Sequence, residues 1–514
     1  MNNLNFLVDV LKESPVFKTL EKNVKPGRTV CASGLSTINK SNIIYALCRL
    51  KGVMAFCLAS DEKEAQTLCN DLSCMGLRAY VYPVRDFNFL DFQSRSHEYE
   101  HARLKVLLKL INHECDVAIA CVDAAAQLTV PRNVLEQSVI EFEEGRELSL
   151  EKATKALTLL GYERFDAVEG SGQFSLRGGI LDFFMPDSDY PVRCEFWGDE
   201  ITDLSYFDIE TQRRFKKADK ITLSPSTEIV IEDRAALADK IEHKAKLLRS
   251  KNSAKAKEKL FSEAELIRSG AMIANADKFI NQIYDKPESL FDYLDRNTLV
   301  FASEFTAIQE RGKSMDFISN ETLMQGFEDG TLCRGFDRFA LTFNECTEFL
   351  QSHGTIVLEN FVHGSMPIKL SEIISFSTKQ LSAWGGSYKQ LKEDVDGLFT
   401  PESKGVIFAG TERAAKNLCD TFNADGINAV YSEGADKISK GELLVMQGAL
   451  SAGFEYPSQK FFAITYSQVS YRPEKSKKKK KRTGQEIYSL SELAPGDYVV
   501  HNVHGIGVLG GIKK

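Results

Sequence analysis

The chain has 514 residues, 43% of them hydrophobic and 26% charged, with a formal net charge of −8. These values fit about three to five compact globular units and exclude collagenous and disordered classes. No apolar run approaches the ~18 residues a bilayer span needs, so no membrane association is expected, and a chain of net negative charge is not, as a whole, a polyanion binder.

The opening stretch, MNNLNFLVDVLKES, sets Asp9, Lys12 and Glu13 among apolar residues, which predicts an amphipathic helix, no signal peptide and a cytoplasmic location. Eleven cysteines lie in apolar stretches without a C-x-x-C pair, which predicts buried thiols in a reducing compartment and no metal site. Residues 28–33, 53–60, 77–83 and 115–123 read as strands, and residues 39–50, 61–76 and 97–111 as helices between them. That alternation predicts a parallel sheet of the nucleotide-binding kind in a first domain, residues 1–135.

Inside that domain ASGLSTINKSNII, residues 32–44, nearly spells G-x-x-x-x-G-K-[ST]. Gly34 opens the motif and Lys40 and Ser41 close it, but Asn39 stands where the second glycine belongs. A phosphate cradle needs glycine because the backbone approaches the phosphates closely, with Lys neutralising charge and Ser or Thr holding Mg²⁺. The strand at 115–123 offers only Asp123 as a Walker B acid. The favoured reading is that Lys40 and Ser41 open a helix in a fold that has lost nucleotide chemistry; the alternative is a working nucleotide site.

From 136 to 225 the texture changes to short β-branched and aromatic stretches broken by Gly, Asp and Pro, which predicts an inserted antiparallel β-rich domain. Alternation in VRCEFWGDE puts Arg193, Glu195 and Trp197 on one face and Cys194 and Phe196 on the other. If Cys194 and Phe196 are core, Arg193 and Trp197 face solvent; if the sheet is covered on both sides, Trp197 is packing. Gly178 and Gly179 are expected to permit a bulge or close strand approach, and Asp199 and Glu200 to be turn and strand-start residues. Residues 226–375 are expected to complete the first sheet, with strands at 297–304 and 355–361. Residues 376–470 predict a small separate α/β domain. The block KSKKKKKR, residues 475–482, predicts a solvated basic linker over 471–489, with contact to DNA phosphates as the other reading. A β-rich module starts at 490 and is expected to be cut short at 514. His501 and His504 are read as flanking a turn there and not as metal ligands.

RGGILDFFMPDSDYPVRCEFWGDEITDLSYFDIETQRR resembles the domain shared by bacterial transcription-repair coupling factors (Mfd) and the excision-repair protein UvrB, where R-G-x-ΦΦ-D, P-x-R-x-E-Φ-Φ-x-D-E-I and F-D-x-x-T-Q-R recur. LAPGDYVVHNVHGIGVLGG resembles the opening of the CarD-like, RNA-polymerase-interacting module of coupling factors, and QGALSAGFEYPSQKFFAIT the stretch before its linker. The resemblance implies the UvrB-like N-terminal half of a coupling factor. Its fold would be α/β multidomain: a degenerate helicase-like parallel α/β domain interrupted by the antiparallel insert, then the small α/β domain, linker and start of a β-barrel.

The resemblance further implies that the insert recruits UvrA through Arg177, Arg193 and Trp197, the last standing where the family commonly has Phe. It implies that the final module contacts the RNA polymerase β subunit. ATP, Mg²⁺ and most DNA contact would belong to a motor absent from this sequence, so no catalytic residue and no cofactor is assigned to it. The rival readings are a UvrB-type DNA-binding subunit and a P-loop NTPase using residues 34–41.

Overall fold

The structure, a computed structural model, describes residues 4–85, 97–138, 140–249, 253–270, 276–361, 366–385, 387–466, 498–501 and 505–508. The basic linker, His504 and most of the segment from 85 to 96 lie outside these residues. The chain divides into two units, Met1–Val469 and Ser470–Lys514.

In the first unit, α1 (Asn5–Lys12) and α2 (Pro15–Asn23) precede an alternation of strand and helix: β1 (Val30–Ser33), α3 (Thr37–Lys51), β2 (Ala55–Ala59), α4 (Glu62–Cys74), β3 (Ala79–Tyr82), α5 (Glu98–Ile111) and β4 (Val117–Cys121). Every residue of β1, β2 and β4 is buried, as a parallel sheet covered on both faces requires. Local chemistry sets the helix ends. The Asp61 carboxylate accepts the Glu64 N–H at 2.7 Å to cap α4, and Gly76, just past its end, adopts a φ of 90°.

The chain then leaves the sheet. β5 (Ile140–Glu143) pairs antiparallel with β12 (Lys220–Leu223), and between them β6 (Glu163–Arg164), β7 (Gln173–Arg177), β8 (Ile180–Phe183), β9 (Val192–Trp197), β10 (Glu200–Phe207) and β11 (Arg214–Lys217) form a sheet of order β11-β10-β9-β8-β7-β6. All its pairs are antiparallel except β6 with β7. One face packs Phe174, Leu181, Phe183, Val192, Cys194 and Leu204 against the helix Leu150–Leu159 and the β5–β12 pair.

After helices Arg234–Leu247 and Ser253–Arg268 the chain returns to the first sheet with β13 (Leu299–Ser303), β14 (Thr355–Leu358) and β15 (Glu372–Ser375). The sheet is parallel throughout, in the order β15-β1-β14-β13-β2-β4-β3. Two of the returning strands, β13 and β14, therefore lie inside the sheet between β1 and β2, and β15 forms its edge beyond β1.

A third sheet follows: β16 (Lys379–Leu381), β17 (Lys404–Phe408), β18 (Ala429–Ser432), β19 (Glu442–Met446), β20 (Gly453–Tyr456) and β21 (Phe461–Thr465), ordered β16-β20-β21-β17-β19-β18. A separate domain is expected here. The sheet is its own, and one face has its own core, where Ile407, Val445 and Phe462 pack with Leu391, Ala415 and Phe422; on the other face Phe408, Met446, Phe454 and Phe461 join Ile43, Ile44 and Leu47 of α3 in one apolar cluster. The wedge is α1, whose Phe6, Leu7, Val8, Val10 and Leu11 are all buried. Phe6 meets Phe461 at 6.3 Å between ring centroids. The amphipathic helix of the sequence reading thus has apolar neighbours on more than one side. In the second unit, β22 (Tyr498–His501) pairs antiparallel with β23 (Gly505–Val508).

Where the insert joins the first sheet, Arg103 of α5 is wholly buried and its Nε donates to Glu228 at 2.6 Å, with neither side chain exposed. Its Nη1 donates to Gln127 Oε1 at 2.7 Å and to the Pro83 carbonyl at 3.2 Å, and its guanidinium lies 4.2 Å from the centre of the Tyr82 ring. Glu228 also accepts the Thr129 hydroxyl at 2.8 Å. Gln127 and Thr129 precede the insert and Glu228 follows it, so one guanidinium ties the two connections together. Removing Arg103 leaves the buried Glu228 with only Arg85, 3.8 Å away, as a counter-charge among the described residues. Arg103→Leu is expected to lower unfolding stability by about 3–5 kcal/mol in urea titrations, more than Arg103→Leu with Glu228→Leu together.

Candidate protein-interaction site

In the phosphate-like loop, Gly34 adopts a φ of 78°, and a Cβ there would collide with the Phe376 carbonyl oxygen. Asn39, Lys40 and Ser41 lie in the first turns of α3 and are all buried. Lys40 Nζ donates to Glu304 Oε1 at 2.5 Å, to Ser303 Oγ at 2.9 Å and to Glu64 Oε1 at 3.3 Å. Ser41 Oγ reaches Thr37 O and Asp71 at 3.3 Å each, Asn39 accepts the Ser36 hydroxyl at 2.6 Å, and Tyr456 of the third sheet is buried against Asn39. Asp71 also receives the N–H and hydroxyl of Ser451, both at 2.7 Å, so its carboxylate joins the first sheet's layer to the third's.

Carboxylates therefore occupy the lysine's surroundings. Glu64 is held below the usual carboxylate range: burial opposes its charge, but Lys40 and hydrogen bonds from Ser303 and Ser60 outweigh burial. Glu359 is pushed up to about 7 by burial, against the Phe305 N–H it accepts, with the Glu304 carboxylate adding to the rise. Asp123 does not end a strand. It sits in the short helix Val122–Ala126, gripped by Arg311 at 2.9 and 2.7 Å. Among the described residues no group of three His, Cys, Asp or Glu is arranged to hold a metal ion, and no helix is long and apolar enough to cross a membrane.

In the insert, strand parity sorts β9 as the pattern predicts: Cys194 and Phe196 are core, and Arg193, Glu195 and Trp197 turn away from it. Trp197 is 81% exposed at the end of β9, before a turn in which Gly198 adopts a φ of 63°. Gly178 makes the β7–β8 turn with a φ of 62°, and a Cβ on Gly179 would come 2.7 Å from the Phe196 carbonyl oxygen, so β8 and β9 approach closely at that point. Asp199 lies in the β9–β10 turn and Glu200 begins β10.

Arg177 and Arg193 are brought together by a residue the sequence reading missed. The Asp182 side chain is 1% exposed and accepts Arg177 Nη2 at 2.8 Å, Arg193 Nε at 2.7 Å and Arg193 Nη2 at 2.8 Å. Its signal was a single acid in the apolar run ILDFF, since a buried carboxylate must find a cation or donors. Arg193 is correspondingly not the open fork expected: its side chain is 13% exposed and it also bonds Gln212. The hydrogen bond to Asp182 holds the Arg193 guanidinium above its ordinary value. Further along the face, Arg214 pairs with Glu195 and, at 2.9 Å, with Asp203.

A carboxyl raised on folding stabilises most below its unfolded value, and that stabilisation is lost as pH rises through the folded value. For Glu359 the window runs from the ordinary 4.5 to about 7. Glu359→Gln is expected to flatten the fall of melting temperature across this window, so that its melting temperature relative to the parent chain climbs by a few degrees between pH 5 and 8 in differential scanning calorimetry.

Residues 140–229 match the family model described as the UvrB interaction domain. The whole chain is similar to a transcription-repair-coupling factor of Bacillus subtilis (strain 168), 28% identical over 519 residues that cover 98% of this chain and 44% of that relative. Factors of the same name from Staphylococcus epidermidis (RP62A) and Staphylococcus haemolyticus (JCSC1435) are 26% and 25% identical, covering 84% and 98% of this chain and 38% and 44% of the relatives. The chain thus spans less than half the length of the curated relatives it matches. It carries a segment of the UvrB interaction type and is similar along nearly all its residues to transcription-repair-coupling factors.

Proposed function

We propose that this chain is the partner-recruiting part of a transcription-coupled excision-repair factor, and that the outward face of its insert binds UvrA. The observation that carries the reading is Trp197, almost fully exposed beside the Arg177–Asp182–Arg193 cluster on a domain matched as a UvrB interaction domain. An exposed indole next to an arginine is the chemistry of interface hot spots, because it combines a large rigid apolar area with directed donors. Displacing stalled RNA polymerase by ATP-driven movement on DNA would fall to segments that the longer relatives carry beyond this match. The β22–β23 hairpin would begin the polymerase-facing module, by strand addition.

Retention of UvrA by the immobilised chain is expected to fall at least about tenfold for Arg177→Ala with Arg193→Ala, and likewise for Trp197→Ala. Undiminished retention by both would overturn the assignment. The loop at 34–41 is proposed to serve structure and not hydrolysis, so the purified chain should show no ATP turnover above background. Lys40→Ala should then act on stability, lowering it by about 3–5 kcal/mol because Glu64 and Glu304 lose their counter-charge. Turnover that Lys40→Ala abolishes in a still-folded chain would be the contrary result.

A further inference from the structure

The two arginines of the proposed face are not equivalent, and this inference rests on the reading of that face as the UvrA site. Arg193 spends its donors within the sheet: Nε and Nη2 on Asp182, Nη2 again on the Gln212 side-chain oxygen at 3.1 Å, and Nη1 on the Gln212 carbonyl at 3.1 Å. Its guanidinium carbon lies 4.4 Å from the centre of the buried Phe207 ring. Arg177 bonds Asp182 through Nη2 alone, and its side chain is 51% exposed. It is therefore anchored at one corner with the rest of its fork in water.

The register places the anchor. Asp182 stands opposite Arg193 and Ser175, while Arg177 stands opposite Ile180, which is itself opposite Glu195. Trp197 follows Glu195 by one same-face step, so at ordinary strand spacing the Arg177 and Trp197 Cα atoms are about 12 Å apart. Two guanidiniums on one carboxylate leave the cluster net positive. A surface carboxylate of the partner can then complete a two-point bond with the open part of the Arg177 fork, while an apolar recess takes the indole.

We propose that Asp182, itself held by Arg193, is a positioning residue that aims Arg177 at an acidic group of the partner, and that Arg177 and Trp197 make the contact while Arg193 acts from behind. Lysine at 193 would keep the charge but lose the fork that fixes Asp182.

The test is a double-mutant cycle on the full chain, titrated with purified UvrA at fixed ionic strength: parent, Arg177→Ala, Asp182→Asn, Arg193→Lys, and each of the last two combined with Arg177→Ala. Arg177→Ala should weaken binding about tenfold, and Asp182→Asn and Arg193→Lys at least about fivefold each, yet neither should add more than about twofold on the Arg177→Ala background. A role confined to folding would instead carry the full loss into that background. The proposal is overturned if both positioning variants bind within about twofold of the parent, or if their losses multiply with that of Arg177→Ala. Thermal melts accompany each variant, and Arg193→Lys decides the matter if Asp182→Asn unfolds. Absence of UvrA binding by the parent chain removes the proposed function itself, and this inference with it.

Discussion

A parallel sheet that is interrupted after β4 and resumed inside itself can close only if the two ends of the excursion stay together. The Arg103–Glu228 pair meets that constraint. A buried ion pair contributes little net stability over an apolar replacement of the same shape, because taking both charges out of water is costly. Its strength is discrimination. With Gln127, Thr129 and the Pro83 carbonyl as further partners, any other register of the junction would leave a charge buried without donors or acceptors. The insert is therefore rooted in the first sheet through this junction.

Much of this fold could be read from residue pattern. Short apolar runs alternating with capped helices gave the parallel sheet, and the change to β-branched and aromatic stretches gave the insert. Two features could not be read, for physical reasons. The fusion of the first and third cores depends on α1 touching apolar residues more than 400 positions away, such as Phe461, and periodicity reports which face is apolar but not what covers it. The partners of charged residues are equally silent. Arg193 reads as solvent-facing by parity, and it does face away from the core, yet cross-strand register puts Asp182 directly opposite and takes up its donors. Parity gives direction; only pairing gives occupancy.

The loop at Gly34 shows the same limit from the other side. Its strand, turn and helix keep the outline of a phosphate cradle, and Gly34 still needs its left-handed φ because of the Phe376 carbonyl. Glu304 and Glu64 stand against Lys40 where a nucleotide would bring phosphates, and Glu359 lies close enough to Glu304 for its proton to be retained well above the usual range. The lysine's counter-charges are supplied by the chain itself. Tyr456 and Ser451 close the surroundings from the third sheet, which turns a cleft between two α/β layers into a seam.

These features bear on one another through rigidity. The proposed interface rests on one exposed indole and one half-free guanidinium, and such a face binds well only if neither has to be ordered on binding. Each is held at its root. Trp197 ends a strand whose alternate residues, Cys194 and Phe196, are locked in the insert's core, and Arg177 is moored to a carboxylate that a second arginine keeps in place. The same logic recurs at Lys40, where several acceptors immobilise a cation, but the outcome differs because of exposure. Where every donor is spent and the side chain is buried, the cluster is a structural joint; where one fork remains open to water on a face that also carries an exposed aromatic, the same ingredients leave a surface of the kind proposed to meet a partner.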